Sequence, residues 1–474
     1  MGASTDHALG RNLRFFAKVE SAAGGAYGTD SQETLDAADA AKVLATTIDF
    51  TVARNDRADA RGTRSLLERI TGKQEVSWSC ESYLLPIGTN FPPDISPLLN
   101  AGFGLGAHTD SAGTEAQATI NAVTKANPAA CTTSANHSFL TGDRIYIGSV
   151  TGMTQIQNTV FTVTKTGDTT FTLDGINSSA YGTFSSTSTA TLLTYRGSDT
   201  NALPTLRMMR TTDGVLREDL FGAWVEEVSI SASGGDEPRI SFSGGAFNYA
   251  LTGTGVTEGT GSGATSLVTE SGDGVNFMVG SSITWVHSSS DVDKIVTAKS
   301  TDTLTVQSAS WADGVAISPT TYTETTAGNP INGIGGSLTL NSVSLPIMAF
   351  DVTLANGVKA LSDEALTKGT SDFVSGYRTV TGTITVRARK DMIKSFAQRY
   401  VQTTSTANPS FTSIPVVVTL GSRAGYNCTV RMDTVELDFG SIDIPEAEEA
   451  ILNIPFTALG TNGGDEIYFD WNQD

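Results

Sequence analysis

Short runs in which apolar and polar residues alternate occur along the whole chain, and they predict a fold built mainly of β-strands. In Ile48–Ala53 and Ile384–Val386 every second side chain is apolar, which is typical of a strand with one face against a core. Gly, Asn and Asp separate such runs and mark the turns between strands. The chain is therefore expected to be mainly β.

Two short segments have helical spacing instead. A helix near residue 100 is predicted by Asp94 or Ser96 as the N-cap, Pro97 at the first helical position and Gly102 as the stop. A second helix is predicted over 391–400, where four apolar side chains recur at helical spacing. These side chains are Met392, Ile393, Phe396 and Tyr400.

The order of these elements repeats, which indicates an internal duplication. Ile48–Ala53 and Phe350–Ala355 have identical Asp, Thr and Ala residues, and apolar residues at their other three positions. A polar stretch follows each of them, and then a Thr-Gly pair, at Thr71 and at Thr381, that leads into the next alternating strand. Three later strands also correspond in order: Pro204–Met208 with Pro415–Thr419, Glu227–Ile230 with Thr434–Leu437, and Arg239–Phe242 with Leu452–Ile454.

The duplication predicts two copies of one β unit, the first of which is interrupted. The run Gly253–Ser266 is rich in Gly, Ser and Thr, so it is expected to be a flexible linker. The predicted segments are 1–115 for the first part of unit one, 116–197 for an inserted small β-barrel module, 198–252 for the rest of unit one, 253–330 for the linker and a second small β module, and 331–474 for unit two.

The charge balance excludes a protein that grips nucleic acid. The chain of 474 residues has 50 acidic and 30 basic side chains, a net charge of −20. Binding to phosphates requires cationic side chains that displace counterions. No apolar run approaches the roughly 20 residues that span a membrane, so no membrane partner is expected. The start of the chain has no signal-peptide pattern, and synthesis in the cytoplasm is expected.

No group of residues in the sequence has the spacing of a catalytic or metal site. The four histidines are isolated, and the pair Asp291 and Asp293 lacks the other ligands of a calcium loop. Cys80, Cys131 and Cys428 lie far apart and are expected to be buried, reduced thiols. We therefore expect no enzyme activity, no cofactor and no metal.

The order of motifs resembles that of phage tail tube proteins, the major tail proteins of long-tailed phages. That family often opens with a short strand, a Tyr-Gly-Thr turn, an Ala/Asp-rich stretch and a strand that leads into charged residues. The matching segments here are Leu13–Glu20, Tyr27–Thr29, Thr34–Ala41 and Ile48–Arg54, and Pro92–Gly102 and Ile454–Gly460 are similar to later elements of the family.

The inserted segment 116–197 resembles the small β-barrel domain first described in ubiquitin-activating enzymes and recurrent in phage structural proteins. The residues that carry this likeness are Leu140–Arg144, Gly152–Thr154 and Phe171–Leu173. No ubiquitin chemistry is implied, because no adenylation or cysteine site accompanies the segment.

The family resemblance implies a structural virion protein of the phage tail, assembled in the host cytoplasm. It implies two tail-tube β-sandwich or barrel domains, each with one helix, in addition to the two inserted modules. Sheets would join across subunits into rings, as a trimer with pseudo-sixfold symmetry or a hexamer, and the loops 54–69 and 356–378 would clamp stacked rings into a tube. DNA would pass through without specific binding. The tape measure, tail tip and terminator proteins are the other expected partners.

Acidic side chains are expected to line the channel of such a tube. Glu436 and Asp438 alternate with the apolar residues Val435, Leu437 and Phe439, so one face of this strand packs in a core and the carboxylates point away from it. Such a face is usually just solvated, but an anionic lining would also keep a DNA duplex mobile. The predicted lumen residues are Glu436 and Asp438, with Glu227 as their counterpart in the first unit.

Two other function classes remain open from the sequence. A virion decoration or receptor-binding protein (an adhesin) would need an exposed aromatic cluster to bind a glycan. A β-rich glycan hydrolase would need two carboxylates facing each other across a groove.

Overall fold

The computed structural model describes residues 13–20, 35–56, 69–85, 94–104, 117–197, 203–212, 215–322, 330–331, 335–340, 343–345, 347–362, 370, 372–387, 414–423, 426–438, 442–443, 450–461 and 463–471. Within them the chain is mainly β, as predicted, with one α-helix. The predicted helix 391–400 lies outside these residues.

The first half of the chain contains the helix and eight strands outside the inserted modules. They are β1 (Leu13–Val19), β2 (Ala40–Ala41), β3 (Ala45–Asn55), β4 (Ile70–Tyr83), α1 (Ser96–Phe103), and, after the first module, β11 (Thr194–Arg196), β12 (Leu206–Thr212), β13 (Leu216–Ser233) and β14 (Arg239–Thr252).

The first module lies within the segment predicted as a β-barrel, and its six strands close into a barrel. They are β5 (Gln117–Val123), β6 (Ala129–Thr133), β7 (Arg144–Ile147), β8 (Thr159–Gly167), β9 (Thr170–Leu173) and β10 (Ser188–Leu192). The barrel has a separate hydrophobic core, which includes Ile145, Phe161 and Phe171.

The second module is a seven-stranded sheet with its own core around Trp285 and Trp311. Its strands are β15 (Gly255–Glu258), β16 (Gly261–Thr269), β17 (Ser282–His287), β18 (Ser290–Ile295), β19 (Ala298–Ser300), β20 (Thr303–Trp311) and β21 (Ala316–Pro319).

The prediction of a flexible linker over Gly253–Ser266 is wrong, because this run forms strands β15 and β16 of the second module. Its glycines serve close packing. A Cβ atom at Gly261 would lie 2.4 Å from the ring of Trp311, and one at Gly255 would lie 2.9 Å from the ring of Phe277. Here glycine makes room for aromatic side chains of the module's core.

The second half of the chain contains eleven further strands. They are β22 (Ser337–Leu340), β23 (Val343–Leu345), β24 (Ile347–Ala355), β25 (Lys359–Leu361), β26 (Asp372–Val374), β27 (Thr379–Arg387), β28 (Ile414–Arg423), β29 (Tyr426–Leu437), β30 (Ile442–Asp443), β31 (Ile451–Ala458) and β32 (Tyr468–Trp471).

Strands of both halves form one continuous antiparallel ladder, which we call the long sheet. Its order is β3-β4-β14-β13-β24-β27-β31-β29, and the pair β13–β24 joins the first half to the second. A second layer contains β2-β1-β12-β13 and β23-β22-β28-β29-β32-β11, so β13 and β29 take part in both layers. One large hydrophobic cluster lies between the layers.

The same order of paired strands occurs in each half. It is β3-β4-β14-β13-β12-β1 in the first and β24-β27-β31-β29-β28-β22 in the second. The residue alignment taken from the Thr-Gly pairs is nevertheless wrong. Thr71 pairs with Arg54 close to the connection between β3 and β4, beyond the part of β4 that pairs with β14, whereas Thr381 pairs with both Thr353 on β24 and Thr457 on β31.

Helix α1 differs from its prediction at both ends. The N-cap is Ile95, without a side-chain hydrogen bond, and the carboxylate of Asp94 instead accepts a hydrogen bond from the backbone N–H of Lys42. The helix ends at Gly104, which has a left-handed φ of 71°, whereas Gly102 lies inside the helix. The reason is packing: a Cβ atom at Gly102 would lie 2.4 Å from Cγ2 of Val228 on β13.

A buried ion pair joins the barrel to the rest of the molecule. Nη1 of Arg196 donates to both carboxylate oxygens of Asp143, at 2.5 and 2.6 Å, and Asp143 is 1 % exposed. Two residues earlier on β11, the hydroxyl of Thr194 donates a hydrogen bond to the carboxylate of Asp470 on β32 at 2.6 Å. The barrel is therefore anchored on the second layer of the second half.

Candidate self-assembly interface

The junction between β13 and β24 is the place where the two halves become one sheet. Seven residue pairs form it, from Glu227 opposite Ala355 to Ser233 opposite Ala349. On one face the pairs are apolar, with Ile230 opposite Val352, and both are buried. The backbone N–H and C=O groups at the edge of one half therefore pair with those at the edge of the other half. Such pairing leaves neither edge exposed.

A buried amide fixes the end of this junction. Nδ2 of Asn356 donates hydrogen bonds to the carbonyl oxygens of Gly102 on α1, at 2.8 Å, and of Val225 on β13, at 3.1 Å. Its backbone N–H also donates to the carbonyl of Glu226 at 2.8 Å. The side chain is 3 % exposed, and a buried amide without partners would destabilise the fold by about 1–3 kcal/mol. Sequence reasoning missed Asn356, because an Asn after a strand is indistinguishable from an ordinary turn residue.

The other face of the long sheet is polar from one end to the other. One row of directly paired residues crosses all eight strands, and seven of its eight members are Ser, Thr or Glu. In order the row is Ala45, Glu81, Ser241, Ser229, Thr353, Thr381, Thr457 and Glu436. Hydroxyl groups bond across the junction in this row: Oγ1 of Thr353 donates to Oγ of Ser229 at 3.2 Å.

The charges on this polar face are mainly carboxylates. The pairing register puts Asp49, Glu75, Glu227, Asp351 and Glu436 on it. Burial between neighbouring strands raises the pKa of the Asp351 carboxyl, and a hydrogen bond from the backbone of Thr383 opposes that shift.

Cations also occur on the polar face. Arg239 pairs with Glu81, Nη1 to Oε1 at 3.1 Å, and thereby neutralises one carboxylate. The pairing register also places Lys73 on β4 and Arg387 on β27 on this face. Arg387 is the last residue of its strand. The face is therefore polar with an acidic bias and not uniformly anionic.

The residues predicted to line a channel lie on or beside this face. Glu227 and Glu436 are exposed and point to the polar side of β13 and β29, while Val435 and Leu437 are buried on the other side. Asp438 is exposed directly after β29, and its backbone N–H donates to the carbonyl of Pro455. Phe439, the third apolar residue of that pattern, lies outside the described residues.

The described part of the chain contains no group of three or more His, Cys, Asp or Glu side chains arranged to hold a metal ion. All three cysteines are free and buried, as predicted. Burial raises the pKa of the thiols of Cys80 and Cys131 to about 12, so these groups stay protonated and poorly nucleophilic near neutral pH.

Among the described residues, no helix is long and apolar enough to cross a membrane. The main features of the described residues are a continuous polar face and an edge-to-edge junction between the two halves of the chain. A comparison of the sequence with models of known protein families finds no match, and a search among curated proteins also finds none.

Proposed function

We propose that this chain is a structural subunit that polymerises into stacked rings and forms the tail tube of a phage, the conduit through which DNA reaches the host. The single observation that carries the proposal is the long sheet. It runs through both halves of the chain, joins them edge to edge at β13–β24, and presents one polar face along its whole width. A ring made by repeating such a junction would have a continuous polar wall.

The repeated strand order supports a ring of pseudo-equivalent units. If each half is one tube domain, three chains supply the six units that the family resemblance implies, and the β13–β24 junction is already one of the contacts. Head-to-tail contacts of this kind close into rings when the rotation per unit allows it. A hexamer of whole chains is the alternative ring.

The polar face suits the passage of DNA. Hydroxyl and carboxylate side chains hold water and offer phosphates few cationic partners, so a duplex beside them stays hydrated and mobile. We propose Glu227, Glu436 and Asp438 as lumen residues on this ground. The barrel module is attached through the second layer at Asp470, and the second module follows β14 directly, with a further hydrogen bond from Arg217 to the carbonyl of Thr320.

The burial of the tryptophans favours a tube subunit over an adhesin. All five are at most 5 % exposed, namely Trp78, Trp224, Trp285, Trp311 and Trp471. Exposed tryptophans are the side chains on which a glycan-binding protein most often stacks a sugar ring, and none of these is available for that purpose.

Electron microscopy of the purified full chain tests the proposal. We expect rings or tubes with a central channel, and in a cryo-EM map the side chains of Glu227, Glu436 and Asp438 on the channel wall. A monomer in solution that binds a glycan would support the adhesin instead. Rings with a channel wall of Lys and Arg would retain the assembly and reject the acidic lining.

A further inference from the structure

Two strand edges of the long sheet have no partner strand among the described residues. Strand β3, at one end of the sheet, pairs with β4 alone, although the backbone carbonyl of its Thr46 accepts a hydrogen bond from Nη1 of Arg210 at 3.0 Å. Strand β30, which continues the line of β29 at the other end, pairs with β31 alone. Since both edges lie at the two ends of one ladder, a second copy of the chain could join them in the same way that β13 joins β24.

The β13–β14 and β30–β31 hairpins correspond position by position. The last pair is Ser231 with Arg239 in the first hairpin and Asp443 with Ile451 in the second, and the two pairs close loops of equal length. Strand β30 therefore takes the place of the end of β13, with Asp443 at the position of Ser231.

Strand β3 corresponds to β24 by the same comparison. The strand next to β14 is β4, and the strand next to β31 is β27. When the ladders are followed outward from the two matched hairpins, Thr47 of β3 falls at the position of Asp351 on β24, and Ile48 falls at that of Val352. None of these ladder segments contains a register shift.

The core-facing side of β3 is incompletely covered compared with that of β24. Phe350, Val352 and Leu354 on β24 are 1–2 % exposed and belong to the large hydrophobic cluster between the layers. The side chains at the matching positions of β3, which are Thr46, Ile48 and Phe50, are only half-buried. A cavity of about 490 Å³ also opens beside Phe50, between the β3–β4 hairpin, β14 and the second module.

We infer that β30 of one copy adds to the free edge of β3 in a second copy, with Ile442 opposite Ile48 and Asp443 opposite Thr47. This inference rests on the proposed function and specifies its contact. The pairing repeats the chemistry of the junction within the chain, where Ile230 faces Val352 and a hydroxyl, Ser231, faces a carboxylate, Asp351.

The alternative register can be distinguished by charge. The motif alignment of the sequence makes Asp49 the equivalent of Asp351, and it would set Asp443 against Asp49. Like charges directly opposite each other destabilise an antiparallel pair. The register derived from the ladders instead sets Asp443 against the hydroxyl of Thr47, so it is the favoured one.

Paired cysteine variants of the full chain test this register. Directly opposite residues of antiparallel strands have Cα atoms about 4.5–5.5 Å apart, within reach of a disulfide, whereas diagonal neighbours are about 7–8 Å apart. We expect Thr47→Cys/Asp443→Cys to give disulfide-linked oligomers on non-reducing gels after mild oxidation. The matched control Asp49→Cys/Asp443→Cys should remain mainly monomeric on the same gels.

The outcomes separate the inference from the proposed function. Cross-linking mainly in the Asp49→Cys control would overturn the register. Rings of normal appearance in the electron microscope without cross-links in either variant would overturn the β3–β30 contact while the tube proposal stands. If the unmodified chain forms no rings at all, the proposed function fails and the inference fails with it.

Discussion

Gly102 of helix α1 lies directly against Val228 of strand β13, so closely that a Cβ atom at position 102 would be 2.4 Å from Cγ2 of Val228. This contact brings the helix onto the strand that joins the two halves of the sheet. Because Val228 itself pairs with Leu354 of β24, the fit at Gly102 bears on the junction as well as on the first half.

The variant Gly102→Ala should therefore destabilise the protein. Overpacking of a close contact usually lowers the free energy of unfolding by about 1–3 kcal/mol. Unfolding in urea, followed by circular dichroism, measures the change. The compensating variant Gly102→Ala/Val228→Ala removes the Cγ2 atom that clashes, so it should lose less stability than the sum of the single changes. Additive losses would contradict the direct contact.

Removal of one partner from the ion pair between Arg196 and Asp143 should loosen the barrel. The variant Asp143→Ala removes the carboxylate that faces the buried guanidinium of Arg196, and removal of one partner of a buried ion pair costs about 3–5 kcal/mol of stability. The double variant Arg196→Met/Asp143→Leu removes both charges and should be far less damaging. Thermal unfolding and limited proteolysis at the barrel boundaries compare the single and the double variant. An equal loss of stability in both variants would argue against the ion pair as the anchor of the barrel.

The stability of the barrel should fall in mild acid because of His137. This side chain is 6 % exposed, stacks on Phe139 and meets the ring of Phe171 edge to face, with ring centroids 5.1 and 5.2 Å away. Desolvation lowers its pKa below the ordinary value of 6.5. The unfolded chain therefore takes up a proton that the folded barrel resists, and stability decreases as the pH falls below about 6.5.

Calorimetry of the barrel transition between pH 7 and pH 5 checks this. The variant His137→Phe should flatten the pH dependence. The control Phe139→Leu loosens the same cluster but keeps the histidine, so it should be less stable at every pH and retain the slope. An unchanged slope in His137→Phe would assign the effect to other groups.

Lysine substitutions on the polar face should make assembled rings retain DNA. Each phosphate that a lysine contacts adds about 0.9 to the slope of log affinity against log salt concentration. We expect Glu227→Lys and Glu436→Lys rings to protect DNA from nuclease at low salt and to release it at high salt. Glu258→Lys, at an exposed site of the second module, is the matched control. Equal protection by the control would show that DNA binds outside the channel.

The alternation of apolar and polar residues predicted the strands well, because burial of one face imposes a period of two. Val435 and Leu437 are buried and Glu436 is exposed, as their order indicates. The same period cannot fix a register, since a shift by two residues leaves every side chain on its face. For that reason Thr71 and Thr381 looked equivalent in sequence but are not in the ladder.

The glycines show where sequence reasoning fails for a different reason. Gly261 reads as part of a linker by composition, yet it is required by the ring of Trp311, which lies fifty residues further along the chain. Gly102 reads as a helix stop, yet it is required by Val228. Contacts that are distant in sequence leave no local signal, so both residues were assigned to the wrong role. The buried bridge at Asn356 was missed for the same reason.

Because the two halves are covalently linked, the sheet junctions differ in whether their formation depends on protein concentration. The β13–β24 junction forms during folding of one chain, at the high effective concentration of tethered partners, and does not depend on dilution. In the proposed ring, a junction at β3 would form between molecules, and it would set the concentration at which rings appear. Damage to β24 should thus lower the unfolding temperature, whereas damage to the outer edge of β3 should raise the critical concentration and leave the monomer's stability nearly unchanged.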